Sequence, residues 1–260
     1  MTDAFQSLVD DLAAEHEALA GVLASVPFER WEHQTHAPGW AIRDQVAHLA
    51  QFDDVARLAI EEVERFTAMG RSGANYLEEA RTRPVAEIAA WWREASEKLI
   101  SAARTLDASR RMPWFGPPMA ATSFITARLM ECWSHGLDVV DVAGVEREPS
   151  DRLRHIAHLG VRTRGFSYVT RGLEPNQTPV KVELVLPSGE PLVFGDTLAT
   201  QSIRGRAIDF CQVVTQRRHY ADTRLEIDGP DAEEWMRFAQ AFAGPPGEGR
   251  KPGQFTQAHP

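Results

Sequence analysis

The chain has 260 residues, 43% of them hydrophobic, with a formal net charge of -9. That length allows one large domain or two ordinary ones with real cores, and an acidic chain without a basic run is a poor partner for nucleic acid or anionic membranes. Two cysteines, Cys132 and Cys211, in separate helix-like segments do not make a disulfide scaffold, and neither a signal peptide nor a run of ~20 apolar residues is present.

These features point to a cytoplasmic protein with small-molecule partners, a monomer or a homodimer, that binds neither nucleic acid nor membrane. Residues 3–25 predict an amphipathic helix with Phe5, Leu8, Leu12 and Leu19 on one stripe, ended by Pro27. After a loop with Trp31, His33, His36 and Gly39, a second helix is predicted over 42–69, broken beyond it by Gly70, Gly73 and Asn75. Pro84 suits the first turn of a third helix carrying Ile88, Trp92 and Leu99. MPWFGPP reads as a loop, and a fourth helix is predicted over 119–143, ending near Gly144. Four such helices argue a bundle.

Beyond Gly144 the texture changes. Residues 150–171 read as one more helix, and VKVELVLPSGEPLVFG alternates around Pro-Ser-Gly as a β-hairpin. TLATQSI and TRLEIDG read as strands, GRAIDFCQVVTQ and PDAEEWMRFAQAFAG as helices. The predicted fold class is α+β, with a helical bundle over 1–145, a smaller α+β domain over 150–245 and a disordered tail over 246–260.

Chemistry concentrates in two helices. Glu131 and His135 are four apart in LMECWSHGLDVV and share a helical face. His48 lies in RDQVAHLAQF. Two imidazoles and a carboxylate make three metal ligands, and a catalytic zinc site keeps its fourth position for water or substrate. Other readings remain open. His48 alone fits an interior histidine, and Glu131 fits a rim salt bridge with Arg128. Asp44, four before His48, falls in the first helical turn, where a carboxylate serves free backbone N–H groups. Asp138 could orient a ligating imidazole or be an exposed charge. His16 lies near enough in pattern to join the site. Trp40, Trp114, Phe115 and Trp133 could wall a pocket, although aromatic residues at such spacing also build cores. Arg217 and Arg218 follow an apolar helix and could read a substrate carboxylate.

GWAIRDQVAHL and MECWSHGLD together resemble the metal-binding domain of mycothiol-dependent maleylpyruvate isomerases, within the wider DinB-like group of four-helix metalloproteins. The resemblance covers about residues 5–145 and, more loosely, the α+β region. It implies that His48, Glu131 and His135 bind zinc or another divalent metal, and that mycothiol or a similar thiol is the cofactor. It implies a cis-trans isomerase or thiol S-transferase acting on a small unsaturated, electrophilic acid. A metal-dependent hydrolase or a non-catalytic binder are the alternatives. Ala41 stands where relatives carry Ser or Thr, a helix cap weaker by about 1 kcal/mol. MPWFGPPM and DFCQVVTQRRHYADT set the chain apart from the isomerase itself, which bears on substrate more than on metal.

Overall fold

A computed structural model describes residues 4–69 and 75–255. Gly70, Gly73 and the last five tail residues, 256–260, lie outside the described residues. The chain divides into two compact units, Met1–Arg147 and Glu148–Pro260.

In the first unit, helices α1 (Ala4–Ser25), α2 (Ile42–Glu61), α5 (Val85–Arg104) and α6 (Ala121–Ala143) each bury the apolar stripe the sequence carries. α2 packs along α5 and α1 along α6, and α2–α6 and α1–α5 contacts close the bundle. Leu19, Trp31, Ile42, Leu49, Ile88, Trp92 and Val139 share one core cluster, each large side chain contributing about 1.5–3 kcal/mol of burial. Gly144 ends α6 in the left-handed region, φ +66°, where a residue without Cβ is unstrained.

Three local features differ from expectation. The second predicted helix stops at Glu62 (φ -132°, ψ 60°) and resumes as α3 (Val63–Met69), which buries Phe66. A short helix, α4 (Tyr76–Arg81), precedes α5; six residues are too few to show a period. MPWFGPP is the tip of a hairpin between β1 (Arg111–Met112) and β2 (Met119–Ala120); strands of two residues carry no alternation to read.

In the second unit, the segment 150–171 breaks at Thr163 into α7 (Leu153–Arg162) and α8 (Arg164–Val169). Strands β3 (Val180–Val185), β4 (Pro191–Phe194), β5 (Gln201–Arg206) and β6 (Glu226–Asp228) form one sheet in the order β4-β3-β5-β6. The expected hairpin is β3–β4, and β5 runs parallel to β3 on its other side. Helix α9 (Ala207–Val214) packs on α7. Helix α10 (Pro230–Phe238) opens with Pro230, and Gln201 Oε1 accepts the Asp231 and Ala232 N–H groups at its first turn. It ends at Ala239, whose backbone is extended, short of the predicted extent. Residues 245–255 carry no helix or strand. They lie against this unit through Arg171 to the Gly247 carbonyl (3.0 Å) and Arg218 over the Phe255 ring (3.9 Å). No helix among the described residues is long and apolar enough to cross a membrane.

Candidate metal centre

Packing α2 against α6 brings His48 onto Glu131 and His135. Their ligand atoms all lie within 4.8 Å of one another. His48 Nε2 is 3.5 Å and His135 Nε2 3.1 Å from the same oxygen, Glu131 Oε2. Ligands about 2.1 Å from a tetrahedral zinc stand ~3.4 Å apart, so the spacing fits such an ion. Among the described residues no fourth His, Cys, Asp or Glu joins the group. Asp44 takes the structural role expected of it. Its Oδ2 accepts the Ala41 N–H (2.9 Å), and Arg81 grips both its oxygens (2.9 and 3.0 Å). Asp44 thus satisfies the backbone N–H of the residue before α2, while Ala41 itself offers no side-chain acceptor to the first turn.

Hydrogen bonds behind the imidazoles decide which nitrogen faces inward. Thr35 donates its hydroxyl to the Trp40 carbonyl (2.8 Å) and accepts from Gln45 Nε2 (2.9 Å). The amide oxygen of Gln45 therefore faces His135 Nδ1, 2.5 Å away, and that nitrogen carries the proton. With a proton on Nδ1, His135 Nε2 faces the Glu131 carboxylate at 3.1 Å, where a metal ion or a second ring proton would bridge the two. His48 Nδ1 meets the Tyr76 hydroxyl at 2.7 Å, which leaves its Nε2 directed at Glu131 as well. Gln45, Thr35 and Tyr76 were not singled out in the sequence. Gln45 lies three residues before His48 on α2, and only the packing of α6 against that turn shows its role. The sequence pointed instead to Asp138 as the orienter of His135; Asp138 is fully buried in α6, but Gln45 is the partner of Nδ1.

The electrostatics agree with a cation site. Burial, followed by the neighbouring His135, holds His48 down to about 4, so it is neutral at pH 7 without an ion. Burial alone would raise the Glu131 carboxyl, but hydrogen bonds from His135 and His48 outweigh it and keep the group ionised. Burial, then the Glu131 charge, raises the Tyr76 hydroxyl, which stays protonated.

The suggested Glu131–Arg128 salt bridge does not form. Arg128 donates from Nη2 (2.8 Å) and Nε (3.2 Å) to Asp53 Oδ1, leaving Glu131 to the histidines. His16 sits with that buried pair, its Nε2 3.6 Å from Asp53 Oδ2, and edge-on to Trp92. It belongs to the bundle interior rather than to the triad. Trp40 does join the site, stacked on His135 (5.8 Å, 20°) and tilted on His48 (5.3 Å). Phe115 is one ring further out, 6.2 Å from Phe52, which itself lies 4.6 Å from His48. Trp133 is buried in α6 and makes no ring contact with either imidazole among the described residues. Cys132 is buried, its thiol pushed well up by burial and the nearby Glu15, which makes it a packing residue. Arg217 and Arg218 follow α9 in the second unit, donating to the Thr215 and Arg217 carbonyls (both 2.8 Å).

Residues 12–140 match the family described as the mycothiol maleylpyruvate isomerase N-terminal domain. A protein of Mycobacterium tuberculosis named as uncharacterized, found in two strains, is 43% identical over 250 residues, covering 93% of this chain and 97% of its own. The crystal structures of the mycothiol-dependent maleylpyruvate isomerase and of a histidine-to-alanine mutant of it align with a TM-score of 0.55 at 15% identity. They cover 84% of this chain and 93% of theirs. That likeness is one of fold.

Proposed function

This chain belongs to the mycothiol maleylpyruvate isomerase family, and from that premise we propose that it is a metal- and thiol-dependent enzyme of the isomerase or S-transferase type. His48, Glu131 and His135 would hold the ion, zinc by the chemistry of two imidazoles and one carboxylate. The observation that carries the proposal is the pair of Nε2 atoms aimed at one carboxylate oxygen, with Gln45 holding the proton of His135 on the far nitrogen.

A divalent ion there would supply the charge that favours thiolate over thiol at neutral pH. A mycothiol-type thiol, when bound, would supply a nucleophilic sulfur for addition to a conjugated double bond, the chemistry of a cis-trans isomerase when reversed and of an S-transferase when retained. The protein's own residues do the rest. Glu131 contributes the one anionic ligand. His48 and His135 would lose little rotational freedom on binding an ion, because Tyr76 and Gln45 already fix their rings.

Metal analysis with a thiol-dependence assay tests the reading. Stoichiometric zinc, lost in His48→Ala, together with turnover that requires a thiol, is the expected result. Protein without stoichiometric metal would favour a non-catalytic binder. Metal-dependent turnover without any thiol would favour a hydrolase, in which the ion activates water.

A further inference from the structure

Resting on that reading, the surroundings of the triad bear on what the electrophile looks like. Phe52 is one helical turn beyond His48 and lies against its ring (4.6 Å). From Phe52 a continuous set of rings leads away from the triad. Tyr76 is 5.9 Å away, Phe115 6.2 Å and Trp114 6.4 Å. Phe66 backs the set, stacked on Trp114 (5.8 Å, 8°) and 5.5 Å from Phe115. Phe66 is buried, whereas Phe52, Tyr76, Trp114 and Phe115 are half-buried. The wall thus has a sealed back and a partly open front, and it starts at a candidate metal ligand. Two of its rings come from the tip of the β1–β2 hairpin, the segment that set this chain apart in sequence.

The arginines of the flanking helices are already engaged. Arg43 bonds Glu32 and the Ala80 and Arg83 carbonyls. Arg57 bonds Glu61, Arg81 grips Asp44, and Arg128 grips Asp53. Drawing any of them onto a dianion means breaking an ion pair, in the cases of Asp44 and Asp53 a pair whose acid is buried. Apolar surface of a ligand, by contrast, meets rings that lose water on contact.

We infer that the electrophile of this centre is a conjugated compound carried on an apolar, ring-bearing body that lies along Phe52, Trp114 and Phe115, rather than a compact dicarboxylate. The wall sets which electrophile is accepted, while the triad and the thiol set what happens to it.

The test uses zinc-loaded full-length protein without thiol and two saturated, unreactive probes, 4-phenylbutan-2-one and succinate, with affinities from calorimetry. The phenyl ketone is expected to bind at least about tenfold more tightly than succinate. Trp114→Ala and Phe115→Ala, each at unchanged zinc content, are expected to weaken the ketone about tenfold and leave succinate unchanged. Succinate binding more tightly than the ketone, or ketone affinity unmoved by both substitutions, overturns the inference. Turnover with the thiol separates this failure from that of the proposed function. Thiol-dependent consumption of a dicarboxylate with no preference for the ketone sinks the substrate class and leaves the enzyme. Ketone binding at the wall with no thiol-dependent consumption of either kind of electrophile sinks the enzyme and leaves the wall's preference.

Discussion

Gln45 shows what a single buried amide contributes. Its Oε1 is the partner of His135 Nδ1, and its Nε2 is anchored by Thr35. Gln45→Ala keeps all three candidate ligands but removes the group that orients one of them. Zinc affinity, measured by competition with a chelator, is expected to fall about 10–100-fold; an unchanged affinity would show that the ring is held by packing alone. His16 makes a different prediction. Burial pushes its imidazole below the ordinary 6.5, with Arg128 pushing the same way and Asp53, Glu15 and Glu17 pulling back. Its folded value is therefore below its unfolded one, and the unfolded chain takes up the proton first as pH falls. The stability this group contributes is complete above about 6.5 and declines as pH drops toward the lowered value. His48 adds to the same trend in metal-free protein, so the contribution of His16 is the difference from His16→Gln, whose urea-unfolding free energy should fall less between pH 7.5 and 5. At this scale the sequence carried the candidate ligands and not their supports. His48, Glu131 and His135 stood out because a Glu-x-x-x-His pair has a period. Gln45, Thr35 and Tyr76 act through contacts between segments, which no local pattern encodes.

Among the elements, α6 bears the most. It presents Glu131 and His135, its Arg128 engages Asp53 from α2, and beyond its end Arg147 reaches back to Glu15 of α1. Arg147 has room because position 136 is glycine: a Cβ there would stand 2.6 Å from Arg147 Nη1 and 3.2 Å from Leu19 Cδ1. Glu15 is 1% exposed, so Arg147→Ala strands a buried charge and is expected to cost about 3 kcal/mol in urea unfolding. A loss under ~0.5 kcal/mol would mean the pair is no more than a surface contact. Gly144→Ala should cost about 1 kcal/mol, since its φ of +66° suits glycine. The long helices were legible because each keeps one apolar stripe over five turns or more. Where the reading went astray the signal was short or interrupted. Continuous helical patterns hid the breaks at Glu62 and Thr163, where the backbone leaves helical angles at a residue that is neither glycine nor proline. The hairpin at 111–120 and helix α4 are each too short to carry a period.

On the scale of the whole molecule, bundle and small sheet were both foreseeable. Helical periodicity gives way to strand alternation after Gly144, and the two compact units part at Arg147 and Glu148. Pairing of β5 alongside β3 in parallel was not foreseeable, because register between distant strands is fixed by packing of α7 and α9 on the sheet. The proposed chemistry depends on a divalent ion held in the bundle by His48, Glu131 and His135 with a position left for sulfur. Zinc-edge X-ray absorption on the purified chain, before and after addition of mycothiol, addresses it directly. One zinc per chain in a shell of nitrogen and oxygen, gaining a single sulfur at about 2.3 Å when the thiol is added, is the predicted result. A shell that gains no sulfur, or a His48→Ala protein with the same zinc spectrum, would contradict it.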